Sequence, residues 1–277
     1  MKILVTGATG TVGRNLVEQL VEMGHQVRAL TRNPAKANFS EGVEVVTGDL
    51  TTPATLTPAL EGISGLHLIN FGGDDFAPLQ TGAEIIAMAE QAGVERVTVL
   101  RGGSKGTVEN ALESSSLAWT FLEPVEFMSN ILKWSYGIQA AGAVRQPFGD
   151  RKTAIVHEAD IAAVAAGVLT SEGHAGKSYS ISGPEVTTPR EMTRMIAEVL
   201  GREIQFVDLT PDQARAEWGT FGIPQDVIEF LLWVYANTPP HGYTVVPTVE
   251  QITGRPAHTF AQWTAEHTAA FRAQTAA

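Results

Sequence analysis

The feature that most constrains this chain is a set of three glycines near its start. Gly7, Gly10 and Gly13 stand three residues apart, after the apolar segment 3–5 and before apolar residues that recur at helical spacing. Between a strand and a helix, such glycines permit a tight turn, let backbone N–H groups approach a pyrophosphate, and allow close helix packing. A glycine-rich turn without a ligand is the alternative. The strand–turn–helix context favours a dinucleotide site.

Segments that read as strands alternate with helical segments along the first half of the chain. Strands are predicted at residues 2–5, 25–32, 43–50, 65–73, 96–103 and 117–124. Helices are predicted at 79–92, 158–169, 224–237 and 259–271, and helix starts with capping boxes at Thr188 and Thr210. This alternation predicts an α/β fold: a Rossmann-type, doubly wound parallel sheet with a small C-terminal substrate-binding lid. We expect one domain over 1–277, with a nucleotide-binding core over about 1–150 and the lid over about 151–277.

Charge and composition narrow the class of partner. The 277 residues carry a formal net charge of −11 and include no cysteine. The acidic balance argues against nucleic-acid and membrane-surface roles, and the lack of cysteine excludes disulfides and thiol nucleophiles. Because Met1 and Lys2 lead directly into a strand and no apolar run reaches transmembrane length, we expect no signal peptide and a cytoplasmic protein.

The end of the second predicted strand indicates which dinucleotide binds. An NAD site usually carries an acidic residue here, to hold the ribose 2′-hydroxyl, but this chain has Arg32. Arg32 can bind a 2′-phosphate, with help from Arg14 and Lys36, which predicts NADP(H) as the cofactor. A solvated arginine is the alternative. Asp49, with Leu50 after the third strand, is placed to accept the adenine amino group, although it could equally be a turn residue.

Five segments of the chain form a pattern that extends over nearly its whole length. They read VTGATGTVGRNLVEQL, RALTRNP, GDL, WTFLEPVEFMSN and GRPAHTFAQWTAEH. Together they resemble the atypical short-chain dehydrogenase/reductases, and within them the NmrA-like proteins, the triphenylmethane reductases and the NADPH:quinone oxidoreductases. The resemblance implies the strand order 3-2-1-4-5-6, with substrate between the carboxyl edge of the sheet and the lid.

The resemblance also extends the expected cofactor site. It implies that residues 124–130 pass beside the nicotinamide and that the end of the fourth strand runs along the cofactor. With the glycine turn and the second and third strands, the expected cofactor-binding residues are Gly7, Thr9, Gly10, Thr11, Val12, Gly13, Arg32, Asp49, Leu50, Asn70, Phe71, Gly72 and Pro124.

The common proton donor of short-chain enzymes is missing from the sequence. That donor is the tyrosine of a Tyr-x-x-x-Lys motif, and none of the four tyrosines is followed by lysine four positions later. The candidates that remain are Ser104, Lys105 and Tyr136. The chain also departs from the family at Arg101 and Gly102, where serines are common, and at Glu123, where arginine often precedes the proline.

Aromatic residues after the sixth strand and in the lid indicate an apolar substrate. Phe127, Met128 and Trp134 are the expected substrate contacts, and Trp218, Phe221 and Trp233 belong to the same group. Most of these six residues are expected in the core, and a few are expected to line a flat apolar pocket. They favour a reductase that transfers hydride to a small aromatic molecule such as a quinone or conjugated carbonyl. The alternative is a non-catalytic, NADP(H)-sensing regulator, and an isomerase or epimerase is a more distant one. An oligomer is possible.

Two groups of acidic residues could indicate a metal site or a catalytic site. His157, Glu158 and Asp160 lie close together, but Asp160 is more simply interpreted as the N-cap of a helix, so no metal is expected. Asp74 and Asp75 are interpreted as part of a solvated turn.

Overall fold

The chain forms two compact units, each assembled from three separate segments. The computed structural model describes residues 1–73 and 77–272, so Asp74 and Asp75 lie outside the described residues. Unit 1 contains Met1–Pro124, Glu158–Ile181 and Thr248–Arg255, and unit 2 contains Val125–His157, Ser182–Pro247 and the described residues from Pro256 onward. The division expected near residue 150 falls within the first segment of unit 2.

Unit 1 is built on a seven-stranded parallel sheet. Its strands are β1 Lys2–Val5, β2 Gln26–Thr31, β3 Glu44–Thr47, β4 Gly65–Ile69, β5 Arg96–Leu100, β6 Ala118–Pro124 and β7 Lys177–Ile181. They lie in the order 3-2-1-4-5-6-7, which confirms the doubly wound fold and the implied order of the first six strands. No apolar run predicts β7, since this edge strand buries only Ile181. A short antiparallel pair, Phe71–Gly72 with Ala77–Pro78, follows β4.

Helices flank the sheet of unit 1. Numbered in chain order together with those of unit 2, they are α1 Thr11–Glu22, α2 Thr57–Leu60, α3 Gly82–Gln91, α4 Thr107–Glu113, α6 Glu158–Thr170 and α10 Thr248–Thr253. Ile85 of α3 and Leu112 of α4 share a buried cluster with strand residues such as Leu68. Leu16 of α1 and Ile161 of α6 are also fully buried, and these two helices pack against each other.

Arg28 connects β2 to the end of α2 and to β3. Its guanidinium donates to the backbone carbonyls of Pro58, Ala59 and Glu61 at 3.1, 2.8 and 2.9 Å, which gives partners to the carbonyl groups at the end of α2. It also pairs with Glu44 of β3 at 2.9 Å. These contacts hold the strand that ends beside Arg32.

Unit 2 is mostly helical. Its helices are α5 Ser135–Ala141, α7 Pro189–Leu200, α8 Pro211–Thr220, α9 Gln225–Ala236, α11 Phe260–Glu266 and α12 Thr268–Phe271. The 3₁₀ segment Met128–Trp134 precedes α5, and the short strands Ala143–Pro147 and Gln205–Leu209 pair in parallel. One buried cluster gathers around Trp263, and a second gathers around Trp218 and Leu232.

The expected helix starts are only partly as predicted. Thr210 begins α8 with a complete capping box, as expected. At α7 the Thr188 hydroxyl accepts from the Glu191 N–H at 3.2 Å, but the Glu191 carboxylate accepts from the Thr188 hydroxyl instead of from the Thr188 backbone N–H. The N-cap prediction for Asp160 is wrong, because α6 begins at Glu158. Asp160 lies inside the first turn, fully buried, with Arg255 at 3.4 Å.

A helix that crosses a membrane must be long and predominantly apolar. None of the helices in residues 1–73 and 77–272 has both the length and the apolar character needed to cross a bilayer.

Candidate functional site

The glycine turn between β1 and α1 has the geometry that its sequence predicts. Gly7 has φ +59°, a conformation that residues with a side chain rarely adopt, and its carbonyl accepts from the Gly10 N–H at 2.9 Å. A Cβ on Gly13 would lie 2.2 Å from the Gly7 carbonyl oxygen, far inside contact distance. The start of α1 therefore lies directly against the turn.

The first turn of α1 can receive an anion. Gly10 is the N-cap, and no side chain in the described part of the chain accepts a hydrogen bond from the N–H groups of this turn. These groups and the helix dipole create a site for negative charge. Thr9 is half-buried and Thr11 exposed, whereas the Val12 side chain is buried, so Val12 can contribute only its backbone. The turn therefore fits a pyrophosphate.

The segment after β2 carries positive charge. Arg32 follows the strand directly and is exposed, and Asn33 caps the 3₁₀ turn Pro34–Lys36. Arg14 of α1 donates to the Asn38 carbonyl at 3.0 Å and lies 5.7 Å from the centre of the Phe39 ring. This contact joins the segment after β2 to α1.

Asp49 forms the turn that follows β3. One oxygen, Oδ1, accepts from the backbone N–H and the hydroxyl of Thr51, both at 2.8 Å. Among the described residues no group bonds to Oδ2, so the carboxylate can be a turn residue and still accept an adenine amino group. Leu50 is buried and contributes packing.

The segment after β4 is held by side chains of the β5–α4 segment. The Asn70 amide donates to the fully buried Glu109 carboxylate at 2.7 Å, and Glu109 also accepts from the Gly106 N–H at 2.9 Å. A Cβ on Gly72 would lie 2.7 Å from a methyl group of Leu79. Asn70 and Gly72 therefore fix the path of the segment, and Phe71 between them is half-buried. The sequence offers no signal for Glu109.

The two departures from the family pattern contact each other. Arg101 follows β5, Glu123 lies near the end of β6, and the guanidinium pairs with the carboxylate at 2.5 Å. The register explains the pair, since Leu100 lies opposite Leu122. Both residues are at the carboxyl edge of the sheet, the edge at which such folds bind ligands, and Pro124 follows them.

The candidate proton donors lie in different surroundings. Ser104 is exposed in the segment after β5, and Lys105 forms an ion pair with Glu113. Tyr136 belongs to unit 2, where its side chain is 68% exposed and meets the Phe221 ring edge-on. Among the described residues no lysine bonds to the Tyr136 hydroxyl, and Lys133 on the preceding turn donates to Tyr235 instead.

The residues expected to contact substrate differ in exposure. Phe127 is half-buried, and its backbone bridges to Val156. Met128 is fully buried in the core of unit 2, where its side chain packs against other apolar groups. Trp134 is nearly buried and lines a cavity of unit 2. Phe127 and Trp134 are therefore the stronger candidates.

A charged network that the sequence does not indicate holds the segment around Phe127. Glu126 pairs through both oxygens with Arg151, at 2.8 and 3.3 Å, and the Arg151 guanidinium lies 4.2 Å from the centre of the Tyr235 ring. Lys133 donates to the Tyr235 hydroxyl at 3.1 Å. Since both partners of the ion pair are largely buried, the pair fixes the path of the chain after β6.

Comparison with known proteins agrees with this geometry. Residues 7–104 match a family model described as NAD(P)H-binding. The (4-alkanoyl-5-oxo-2,5-dihydrofuran-3-yl)methyl phosphate reductase of Streptomyces griseus is 38% identical, over 97% of this chain and 99% of that protein. The NAD(P)H azoreductase of Xenophilus azovorans is 34% identical, over 98% and 99%. The chain belongs to the atypical short-chain dehydrogenase/reductases.

A solved structure extends the comparison. The NADPH-dependent quinone oxidoreductase of Escherichia coli, in complex with NADPH, aligns with a TM-score of 0.82 at 26% identity, over 96% of this chain and 99% of that one. As in other atypical short-chain dehydrogenase/reductases, the cofactor is NAD(P)H. The uncapped first turn of α1 and the close approach of Gly13 show that the residues of this chain fit its pyrophosphate.

Proposed function

We propose that this protein is an NADPH-dependent reductase of quinones, conjugated carbonyls or similar aromatic acceptors. The observation that carries the proposal is the 38% and 34% identity, over almost the whole chain, to proteins named as a reductase of an alkanoyl-dihydrofuranone phosphate and an azoreductase. Bound NADPH supplies a hydride. An acceptor such as a quinone takes up this hydride and one proton to give the hydroquinone.

The residues of unit 1 bind and orient the cofactor in this proposal. The glycine turn and the first turn of α1 hold the pyrophosphate, Arg32 with Arg14 binds the 2′-phosphate, and Asp49 accepts the adenine amino group. Asn70 and Gly72 hold the segment that runs along the cofactor, through contacts that fix its backbone. Most of the work of the protein is therefore positioning.

Cofactor preference is expected to depend on Arg32. NADPH should bind at least about tenfold more tightly than NADH, which corresponds to about 1.4 kcal/mol, and Arg32→Ala should remove most of that preference by weakening NADPH binding alone. Calorimetric titration with both cofactors measures this, with Arg194→Ala, an exposed arginine of α7, as the matched control. Equal affinities of the unmodified protein for the two cofactors would rule out this role of Arg32.

We propose that turnover needs no tyrosine as general acid. A quinone or conjugated acceptor spreads the incoming negative charge, so that water, Ser104 or Lys105 can supply the proton. General acid catalysis typically contributes about 10²–10⁴-fold to the rate. Tyr136→Phe keeps the ring and removes only the hydroxyl, so kcat should fall by less than about tenfold. A loss of about a hundredfold or more, with NADPH affinity unchanged, would identify Tyr136 as the acid.

A panel of acceptors separates the reductase from the regulator. Quinones, azo dyes, aromatic ketones and a dihydrofuranone phosphate are offered with NADPH, and the decrease in NADPH absorbance is followed. A reductase oxidises NADPH with at least one class of acceptor. A regulator would bind NADPH and NADP⁺ with different affinities, oxidise NADPH with none of them, and capture a protein partner in only one redox state.

A further inference from the structure

Unit 1 carries a positive charge at the carboxyl edge of its sheet that the cofactor site does not use. The charge belongs to Arg101, which follows β5 and pairs with Glu123 of β6 at 2.5 Å, with 19% of its side chain exposed. Nε donates to the Gly103 carbonyl and Nη1 to Glu123. Nη2 has no partner among the described residues and is reached by solvent. Two N–H groups of a cation are therefore available to a ligand.

The backbone around Arg101 is fixed by its neighbours. The Arg101 N–H donates to the Leu122 carbonyl of β6 at 2.9 Å. The Asn70 side chain, which the buried Glu109 holds, accepts from the Gly102 N–H and donates to the Gly102 carbonyl, both at 3.4 Å. A donor that is fixed before the reaction stabilises developing charge without reorganisation. Arg101 meets this condition, because its backbone and its guanidinium are both held.

The order of the strands places Arg101 on the nicotinamide side of the cofactor site. The pyrophosphate site follows β1, and Arg32 and Asp49, which bind the adenosine half in the proposed function, follow β2 and β3 on one side of β1. A dinucleotide extends across the carboxyl edge of a doubly wound sheet, so its other half lies toward β4, β5 and β6. Since neighbouring strands are about 4.8 Å apart, β5 is displaced about 10 Å from β1. Arg101 therefore lies on the side where a hydride acceptor must bind.

We propose that Arg101 donates a hydrogen bond to the acceptor oxygen that becomes negatively charged when the acceptor takes up hydride. The inference rests on the proposed function, and it adds a catalytic residue and narrows the acceptor class. The hydride brings an electron pair to the acceptor, the displaced π electrons move to the oxygen, and NADPH is oxidised to NADP⁺. A proton from water, Ser104 or Lys105 completes the reduction, because a guanidinium in a protein does not lose a proton.

This role of Arg101 selects among acceptors by the charge that reduction creates. Quinones and conjugated carbonyls become oxyanions, and a guanidinium N–H binds an oxyanion more strongly than it binds the neutral carbonyl. A triarylmethyl dye cation becomes neutral when it takes up hydride, so Arg101 does not stabilise its reduction. Quinones and conjugated carbonyls are therefore the acceptor class that this residue favours.

A phenolate tests the oxygen site without turnover. 4-Nitrophenolate carries a delocalised oxyanion like that of the reduced acceptor, and 4-nitroanisole is its uncharged ether. Each is titrated in a calorimeter into protein saturated with NADP⁺, at a pH where the phenol is ionised. Arg101→Met removes the donors, so it should weaken phenolate binding at least about tenfold and leave nitroanisole binding unchanged. Arg101→Lys keeps the charge and should retain part of the phenolate affinity.

Two controls separate the loss of the donors from other effects of the substitution. Arg101→Met leaves the Glu123 carboxylate unpaired, and its charge alone would repel a phenolate. In protein that carries Glu123→Gln, the addition of Arg101→Met should still weaken phenolate binding about tenfold. Arg96→Met is the matched control, because Arg96 begins β5 at the other edge of the sheet and also lies near a carboxylate, that of Glu172 at 3.8 Å. Its replacement should leave phenolate affinity unchanged, and circular dichroism checks that each variant is folded.

Turnover gives a second measurement of the same role. With 1,4-naphthoquinone, Arg101→Met should lower kcat about a hundredfold, as the loss of an oxyanion donor typically does. The factor should be the same from about pH 6 to about pH 9, since arginine does not titrate in this range. The unmodified protein should reduce naphthoquinone with a higher kcat/KM than a triarylmethyl dye cation, and the opposite order would contradict the inference.

The inference and the proposed function fail in different ways. The inference is overturned if the unmodified protein does not bind nitrophenolate, or if Arg101→Met leaves the phenolate affinity unchanged or weakens phenolate and anisole equally. If Arg101→Met weakens the phenolate alone but no acceptor is ever reduced, the oxygen site is supported and the reductase proposal fails. If naphthoquinone is reduced with an unchanged kcat in Arg101→Met, the protein is a reductase and Arg101 does not hold the acceptor oxygen.

Discussion

Gly13→Ala is expected to weaken NADPH binding by about a hundredfold or more, which corresponds to about 2.8 kcal/mol. The added methyl group would lie 2.2 Å from the Gly7 carbonyl oxygen and 2.9 Å from Ala8 Cα. Both neighbours are backbone atoms, so the start of α1 must move away from the turn. The N–H groups that receive the pyrophosphate move with it. Overpacking of this kind also costs about 1–3 kcal/mol of stability.

Gly13→Ala and Arg32→Ala are expected to change the affinities for NADH and NADPH in different ways. NADH and NADPH share the pyrophosphate, so Gly13→Ala should weaken both, whereas Arg32→Ala should weaken NADPH alone. Gly219→Ala of α8 is the matched control, because a Cβ there meets no atom within 4 Å. Calorimetric affinities of Gly13→Ala within about threefold of those of the unmodified protein would show that the turn does not hold the pyrophosphate.

The second large effect concerns His67 and the stability of unit 1. His67 lies on β4, completely buried, and its Nδ1 is 2.9 Å from the Thr98 hydroxyl of β5. Its Nε2 has no hydrogen-bond partner among residues 1–73 and 77–272. Burial disfavours the charged imidazolium and lowers the pKa of His67 from 6.5 to about 4. The folded protein therefore keeps this histidine neutral at pH values where the unfolded chain protonates it.

Acid should therefore destabilise the protein through His67. Between pH 6.5 and pH 4 the unfolded state binds the proton and the folded state does not, so the free energy of unfolding falls as the pH falls. From pH 7 to pH 5 the loss due to His67 is about 2 kcal/mol. Below the folded-state pKa both states bind the proton, and the loss grows no further.

Denaturant unfolding at pH 7 and pH 5 measures this loss. His67→Asn should reduce the difference in unfolding free energy between the two pH values by about 2 kcal/mol. His241→Asn, which changes an exposed histidine in the same way, should leave the difference as it is in the unmodified protein. An unchanged difference in His67→Asn would mean that this histidine is not held neutral by burial.

Much of unit 1 could be predicted from the sequence because local signals determine it. The glycine turn, the apolar strands and the helical spacing of α1 are properties of short segments, and the strand order follows from the family resemblance. β7 carries no such signal, because it lies at the edge of the sheet and its residues are mostly polar. The segments that form unit 2 are likewise brought together by contacts between residues far apart in the chain.

The candidate site also depends on contacts between residues far apart in the chain, which the sequence alone does not reveal. Arg101 and Glu123 each stand out in the sequence as departures from the family, but their ion pair depends on the register of β5 and β6. Glu109 reaches Asn70 across 39 positions. Met128 is expected from the sequence to contact substrate like Phe127 and Trp134, but its side chain is in the core. The sequence could not show this, because a 3₁₀ segment of seven residues is too short to reveal which of its sides is buried.

The most direct test of the central claim is the stoichiometry of NADPH oxidation with a naphthoquinone under anaerobic conditions. Absorbance at the NADPH and quinone bands gives the amount of each consumed by the unmodified protein and by Gly13→Ala. A reductase that transfers hydride consumes one NADPH for each quinone reduced to hydroquinone, and Gly13→Ala slows this reaction at limiting NADPH. If the unmodified protein binds NADPH but leaves both absorbances unchanged with this quinone and with every other acceptor of the panel, the protein is not a reductase of this kind.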